Sequence, residues 1–216
     1  MIEFYNVHTS IRDKKILNNI TFRILKGEFV FLTGPSGAGK STILRHIYMD
    51  VLPDNGMVVV ENYNSAKIKD KEVPLLRRKI GVVFQDFKLL QDRTVFENIA
   101  FALRVTGVSS RDIKRRVMRV LAEVNLGHKR SQYPVTLSGG EQQRVAIARA
   151  IVNNPFIVLA DEPTGNLDAE TSMEIMDILE RINRQGTAVL MATHSQEILQ
   201  HFPHRHIHVE GGELSQ

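Results

Sequence analysis

Gly34-Pro35-Ser36-Gly37-Ala38-Gly39-Lys40-Ser41-Thr42 decides the reading of this 216-residue chain. It fits the pattern G-x-x-x-x-G-K-[ST], in which loop amides surround phosphate groups and the lysine neutralises them. The apolar run Glu28-Phe-Val-Phe-Leu-Thr33 precedes it, and a helix-compatible stretch from Ser41 to Tyr48 follows. Strand, loop and helix in that order are the context the pattern requires. The amides from Gly37 to Lys40, at a helix start, are placed to hold a β-phosphate with help from the helix dipole. Lys40 is expected to bridge the β- and γ-phosphates, and the Ser41 hydroxyl to coordinate Mg2+. Thr42 can donate to the α-phosphate. Taken alone, the loop implies only a bound nucleoside triphosphate; the plain alternative is a glycine-rich turn with an exposed lysine.

Upstream, Ile2, Phe4 and Val7 alternate in part, and Ile20, Phe22 and Ile24 alternate more clearly, as strands do. Lys26-Gly27 turns the chain into the strand that feeds the loop, and Asn55-Gly56 marks a turn before Met57 to Glu61. The section from Asn62 to Lys79 is largely polar and basic and is expected to be a solvated connection. Gly81 to Phe84 is another short apolar run. Beyond it, Ile113, Val117, Val120, Leu121 and Val124 recur at helical spacing, with Ser109 and Asp112 suited to cap the start. Arg111, Lys114, Arg115 and Arg119 occupy much of the other side, a face read as solvated. Phe156 to Ala160 and Ala188 to Ala192 are unalternating apolar runs, as buried parallel strands are. Ile175, Leu179 and Ile182 form a helical stripe between them. Strands alternating with helices indicate a mostly parallel sheet covered on both sides.

Asp161 and Glu162 fall at the carboxyl end of the Phe156–Ala160 strand, where open α/β sheets place ligands. Asp161 is expected to hold Mg2+ directly or through water, and Glu162 to orient and activate an attacking water. Without the phosphate loop, the same pair would read as a helix cap before Pro163. Gln85, after the run ending at Phe84, can reach Mg2+ or the water through its amide oxygen. His194 follows the Ala188–Ala192 strand and can donate to a γ-phosphate. Each of these two residues would be ordinary in isolation, and their reading rests on the whole set. Ser138-Gly139-Gly140-Glu141 supplies a capping box, and its two glycines leave the first amides of a helix running to about Asn153 open to an anion. Simple capping with close helix packing is the alternative for that segment.

Composition sets mild bounds. The chain is long enough for one α/β domain with a helical excursion. No run approaches the 18 apolar residues of a membrane span, and Met1-Ile-Glu-Phe4 does not begin a secretory signal, so neither is expected. Zero cysteines exclude disulfides and thiolate metal sites. A net charge of +4 fits a nucleotide or an anionic membrane surface and is too weak to argue for nucleic acid. His204, His206 and His208 alternate, but the stretch has no acid or cysteine at a diagnostic spacing for zinc. A plain solvated strand is the expectation there.

The loop at Gly34–Thr42 together with Leu137-Ser-Gly-Gly-Glu-Gln-Gln-Arg144 resembles the ATP-binding cassette (ABC) ATPases. The resemblance implies a P-loop core with a mostly parallel sheet, an N-terminal antiparallel β-subdomain and an inserted helical subdomain. It places core and β-subdomain at 1–86 and 155–216 and the helical part at 87–154. It further implies ATP and Mg2+ as ligands and a homodimer formed on ATP binding, with each ATP held between two chains. Ser138 and Gly140 would then contact the γ-phosphate held by the partner subunit, with Gly139 beside them. Asn166-Leu-Asp168 would communicate across the dimer, and a groove near Gln85 would receive a membrane protein. The family's adenine-stacking aromatic falls at Ile11, and strand phase does not aim nearby Tyr5 at the base. Adenine binding is therefore expected to be weaker unless the alignment is shifted or a flanking residue such as Arg12 compensates.

Glu72–Gly81, Phe84-Gln-Asp86, Asp92-Arg-Thr-Val95 and Leu159–Asp168 are similar to the bacterial cell-division ABC ATPases of the FtsE type. That family works with a four-span membrane protein of the FtsX type at the cytoplasmic face of the division site. There, dimer closure moves the partner, which activates peptidoglycan hydrolases. Two alternatives stand beside this reading. One is an ATPase of a lipoprotein-release or macrolide-type exporter, which shares Gly165-Asn-Leu-Asp168. The other is a soluble ABC protein acting on ribosomes or DNA, whose usual second cassette or coiled-coil insertion this chain lacks.

Overall fold

The computed structural model describes residues 1–215. Strands β1 (Ile2–Ile11) and β2 (Lys14–Ile24) form a long antiparallel hairpin. Its turn residues Arg12 and Asp13 both have positive φ, 51° and 62°, the backbone twist that matches a two-residue hairpin. Then follow β3 (Phe29–Thr33), α1 (Lys40–Ile47), β4 (Asn55–Val60), β5 (Tyr63–Asn64), α2 (Val73–Arg77) and β6 (Ile80–Val83). Three helices succeed one another without a strand: α3 (Val95–Arg104), α4 (Ser110–Glu123) and α5 (Gly139–Ile151). The chain closes with β7 (Ile157–Asp161), α6 (Ala169–Arg184), β8 (Ala188–Ala192), α7 (Gln196–His201), β9 (Arg205–Glu210) and β10 (Glu213–Ser215).

These strands make two sheets. One is antiparallel with order β2-β1-β4-β5; the other runs β10-β9-β3-β8-β7-β6 and is parallel from β9 to β6. In the larger sheet, strands β3, β8, β7 and β6 are buried on both faces, which is why they do not alternate in polarity, whereas β9 alternates buried Ile207 and Val209 with exposed neighbours. In β7, Ile157 and Leu159 join a core shared with α1 and the antiparallel sheet, whereas Val158 and Ala160 join a core shared with α3 to α6. Phe29 and Phe31 of β3 likewise face the helices, and Val30 and Leu32 face the antiparallel layer. The helical segment thus packs directly on the sheet. No helix among the described residues is long and apolar enough to cross a membrane.

Side-chain caps define most of the helix starts. Thr94 and Ser138 make full capping boxes for α3 and α5, while Ser109, Asp168 and Ser195 accept an amide bond at the starts of α4, α6 and α7. Among the described helices of eight or more residues, α1 alone has no side-chain cap. Its first amides are free to bind an external anion.

Two expectations need correction. The polar section 62–79 is not merely a solvated connection: it carries β5 and α2, and Leu76 is fully buried. The sequence signal was weak because α2 is five residues long and buries only that one side chain. Nor is the histidine stretch a plain solvated strand. His204 precedes β9, stacks on Phe29 and pairs with Glu180, His206 meets Phe31 edge-on, and His208 bonds Thr33 at 2.9 Å. Pairing of β9 beside β3 brings His206 and His208 to Phe31 and Thr33, while His204 is held between Phe29 and Glu180 of α6.

Candidate active site

Because β3, β6, β7 and β8 are parallel, their carboxyl ends lie along one edge of the sheet, where such folds bind ligands. β3 ends in the phosphate loop, β7 in Asp161-Glu162, β8 leads to His194 and β6 to Gln85. Residues separated by up to 160 positions therefore meet. Ser36, Gly37, Gly39, Lys40, Ser41, Thr42, Gln85, Asp161 and Glu162 line a common cleft of about 400 Å³.

The loop is built for close approach. Gly39 has φ 107°, a conformation that disfavours side chains, and a Cβ there would meet Leu17 Cδ2 at 2.6 Å. Lys40 is nearly buried. Its Nζ donates to the carbonyls of Gly34 and Pro35 at 2.7 and 2.9 Å and stands 3.8 Å from Glu162 Oε1. The same carboxylate oxygen is 3.2 Å from His194 Nδ1. Glu162 has a φ of 46°, unusual for a side-chain-bearing residue and of the kind found where surroundings over-determine the backbone. Its amide donates to Ala192 O at 3.0 Å, which anchors it to the end of β8.

Asp161 differs from its neighbour. Burial pushes its carboxyl above the usual range; the Ser41 hydroxyl opposes this, Glu162 adds to it, and Lys40 opposes it. Ser41 and Asp161 thus form a pair of hard oxygen donors, with the Gln85 amide in the same cleft, and this donor chemistry suits Mg2+. Gln85 also has reciprocal contacts with Asn166: its Nε2 donates to Asn166 Oδ1 at 3.4 Å, and Asn166 Nδ2 donates to Gln85 O at 3.3 Å.

Other residues selected from the sequence lie apart. Ser138 is exposed at the start of α5: its hydroxyl accepts from Glu141 N at 3.2 Å, and its amide donates to Glu141 at 2.9 Å. Gly139 is partly exposed beside Leu167, but Gly140 is buried, so close helix packing holds there whatever else the residue does. Asp168 caps α6 through Thr171 N and Oγ1, and these bonds hold its carboxyl below the usual range. Ile11 sits exposed at the hairpin tip and does not line the phosphate cleft; Ile16, across the turn in β2, does. Alternation in β2 could have drawn attention to Ile16, but nothing local marks a lone isoleucine as a ligand contact.

The sequence model of the ABC transporter family matches residues 17–165. A solved dimeric structure of the ATP-binding cassette MJ0796 in a post-hydrolysis state, bound to ADP and Pi, superposes with a TM-score of 0.89 at 36% identity, covering 100% of this chain and 97% of that one. The chain belongs to the ABC transporter family and is an ATP-binding, ATP-hydrolysing cassette. Within that family it is closely related to the bacterial cell-division proteins named FtsE. It is 57% identical over 198 residues to the cell division ATP-binding protein FtsE of Streptococcus pneumoniae serotype 2, covering 92% of this chain and 86% of the relative. Identity to FtsE of Bacillus subtilis is 55% over 213 residues, covering 98% and 93%.

Proposed function

We propose that the chain is the ATPase subunit of a cell-division complex and drives a membrane partner by pairing head to tail around ATP. The observation that carries the chemistry is Glu162 held between Lys40 and His194, with Asp161 and Ser41 alongside. Phosphates of ATP lie on the uncapped start of α1, against the amides of Gly37 to Lys40 and the Lys40 ammonium. Ser41, Asp161 and Gln85 would hold Mg2+, which when bound neutralises charge on the β- and γ-phosphates. Glu162 accepts a proton from the attacking water, and His194, beside that carboxylate, donates to the γ-phosphate. Ser138, Gly139 and Gly140 close the site of the partner subunit, with Asp168 positioned in the same interface by its capping bonds. Segment 87–154 serves as the helical subdomain that meets the membrane protein.

Near full-length relatedness to FtsE supports the division role and a partner of the FtsX type at the cytoplasmic face of the membrane. The dimeric relative with ADP and Pi supports pairing of two chains. The test uses Glu162→Gln, which should keep ATP, accumulate as a dimer and lose steady-state turnover. Turnover at the parental rate would show that Glu162 is not the base that activates water. Membrane proteins captured by the same variant with Mg-ATP, identified by mass spectrometry, test the partner. A four-span division protein supports the proposal, whereas a lipoprotein-release or efflux permease moves the chain to export with its ATP chemistry intact.

A further inference from the structure

Past β6 the chain leaves the sheet and bends sharply. Phe87 and Lys88, two and three residues after Gln85, have φ of 58° and 49°, consecutive side-chain-bearing residues in the left-handed region. Such residues are strained and persist where surroundings enforce them. Here Arg149, in the last turn of α5, supplies the enforcement. One guanidinium nitrogen, Nη1, donates to Lys88 O at 2.6 Å and the other, Nη2, to Phe87 O at 2.9 Å. Burial pushes Arg149 below the usual arginine range with no charged neighbour acting on it, so two carbonyl dipoles receive a shielded cation. A planar fork can hold two adjacent carbonyls at once; a lysine ammonium has no such geometry. The contact runs from Arg149 to the Gln85 loop, and the two Gln85–Asn166 bonds extend it to the segment that follows Glu162.

We propose that Arg149 is a positioning residue that fastens the Gln85 loop to α5, the helix that begins at Ser138. The place of Gln85 in the phosphate cleft is then set by the same rigid element that carries the Ser138–Gly140 end. This rests on the reading that Gln85 serves ATP hydrolysis.

The experiment compares Arg149→Lys, Gln85→Ala and the double variant in the full-length chain, measuring ATP affinity, KM and kcat with Mg-ATP. Arg149→Lys should keep ATP affinity within about twofold, because it touches none of the phosphate loop, and lower kcat about tenfold or more. In the Gln85→Ala background the further loss from Arg149→Lys should shrink to about twofold or less, as for residues acting as one unit. Multiplicative losses would show that Arg149 acts independently of Gln85 and overturn the proposal, with the site reading intact. A Gln85→Ala chain that turns over normally would overturn both. If Arg149→Lys fails to fold, Lys88→Pro attacks the same geometry from the exposed loop, because proline cannot adopt a φ near 49°. It should reproduce the low kcat with ATP affinity kept, and parental kcat in that variant would equally overturn the proposal.

Discussion

Replacing Gly140 by alanine tests how closely α5 and α6 are packed behind the Ser138 segment. A Cβ on Gly140 would approach Thr171 Cγ2 to less than 3.0 Å, a separation real side chains do not show. Thr171 cannot simply rotate, because its Oγ1 donates to Asp168 Oδ2 at 2.7 Å while its amide donates to Asp168 Oδ1 at 2.8 Å. Losing the hydroxyl bond to a carboxylate would cost about 1.5–3 kcal/mol, so a shift of one helix against the other is the cheaper response. Overpacking of this kind costs about 1–3 kcal/mol, and replacing glycine in a helix returns about 0.5–1 kcal/mol. The net destabilisation is centred on ~1 kcal/mol within a span of about 0–2.5 kcal/mol, and the central value is a fall in Tm of roughly 2–4 °C for a chain of this size. Thr171→Ser deletes Cγ2 and keeps the hydroxyl that binds Asp168. Added to Gly140→Ala it should return the Tm to that of Thr171→Ser alone, or slightly above it. Calorimetric scans of the four proteins measure this directly. If Gly140→Ala melts with the parent, or Thr171→Ser gives no relief, the steric account of this glycine is wrong.

Two further predictions concern stability. Asn98 is fully buried and holds the loop before α3: its Oδ1 accepts from Leu90 N at 2.8 Å, and its Nδ2 donates to the carbonyls of Leu90, Arg93 and Thr94 at 3.0–3.1 Å. Asn98→Ala should cost about 2–4 kcal/mol, read as a lower urea midpoint with an unchanged slope. His46 is buried with one ring nitrogen 2.8 Å from Thr9 Oγ1 and the other 2.8 Å from Val51 O; desolvation pushes its pKa below the ordinary 6.5, against the opposing influence of the Val51 carbonyl. The unfolded chain therefore binds a proton first, so this group's effect on stability is nil well above pH 6.5 and becomes destabilising as pH falls below it towards the lowered folded value. Its slope is at most about 1.4 kcal/mol per pH unit, and unfolding curves of His46→Gln should lack that component.

Much of this fold was legible because its strongest signals are local. The loop at Gly34–Thr42, the apolar runs at 156–160 and 188–192 and the Ser109 and Ser138 caps each depend on neighbours in sequence, and the structure has them as read. Asp161, Glu162 and Gln85 were nameable because they end or follow a strand and Lys40 because it closes the loop after β3, and parallel pairing puts strand ends together. What stayed hidden depends on distant partners. Arg149 is one more basic residue on a helix until the carbonyls of Phe87 and Lys88, some sixty positions away, are placed beside it. Likewise, the need for a glycine at position 140 is set in part by Thr171, and His204 and His206 take their character from Phe29 and Phe31.

The bonds of Lys40 also bear on the order of events in the site. Its ammonium is satisfied by two neutral carbonyls, Gly34 O and Pro35 O, with the Glu162 carboxylate just beyond hydrogen-bond range at 3.8 Å. Charge-assisted bonds to phosphate oxygens are roughly twice as strong as bonds to neutral acceptors, so phosphates compete successfully for this cation. As the ammonium turns towards them, its attraction for Glu162 is shared with a stronger anion. The remaining close partner of Glu162 is then His194, at 3.2 Å, and the backbone at φ 46° with its amide tied to Ala192 limits how far the carboxylate can swing. On the role proposed for Glu162, phosphate binding would act on its carboxylate through Lys40, 3.8 Å away, while leaving it in place.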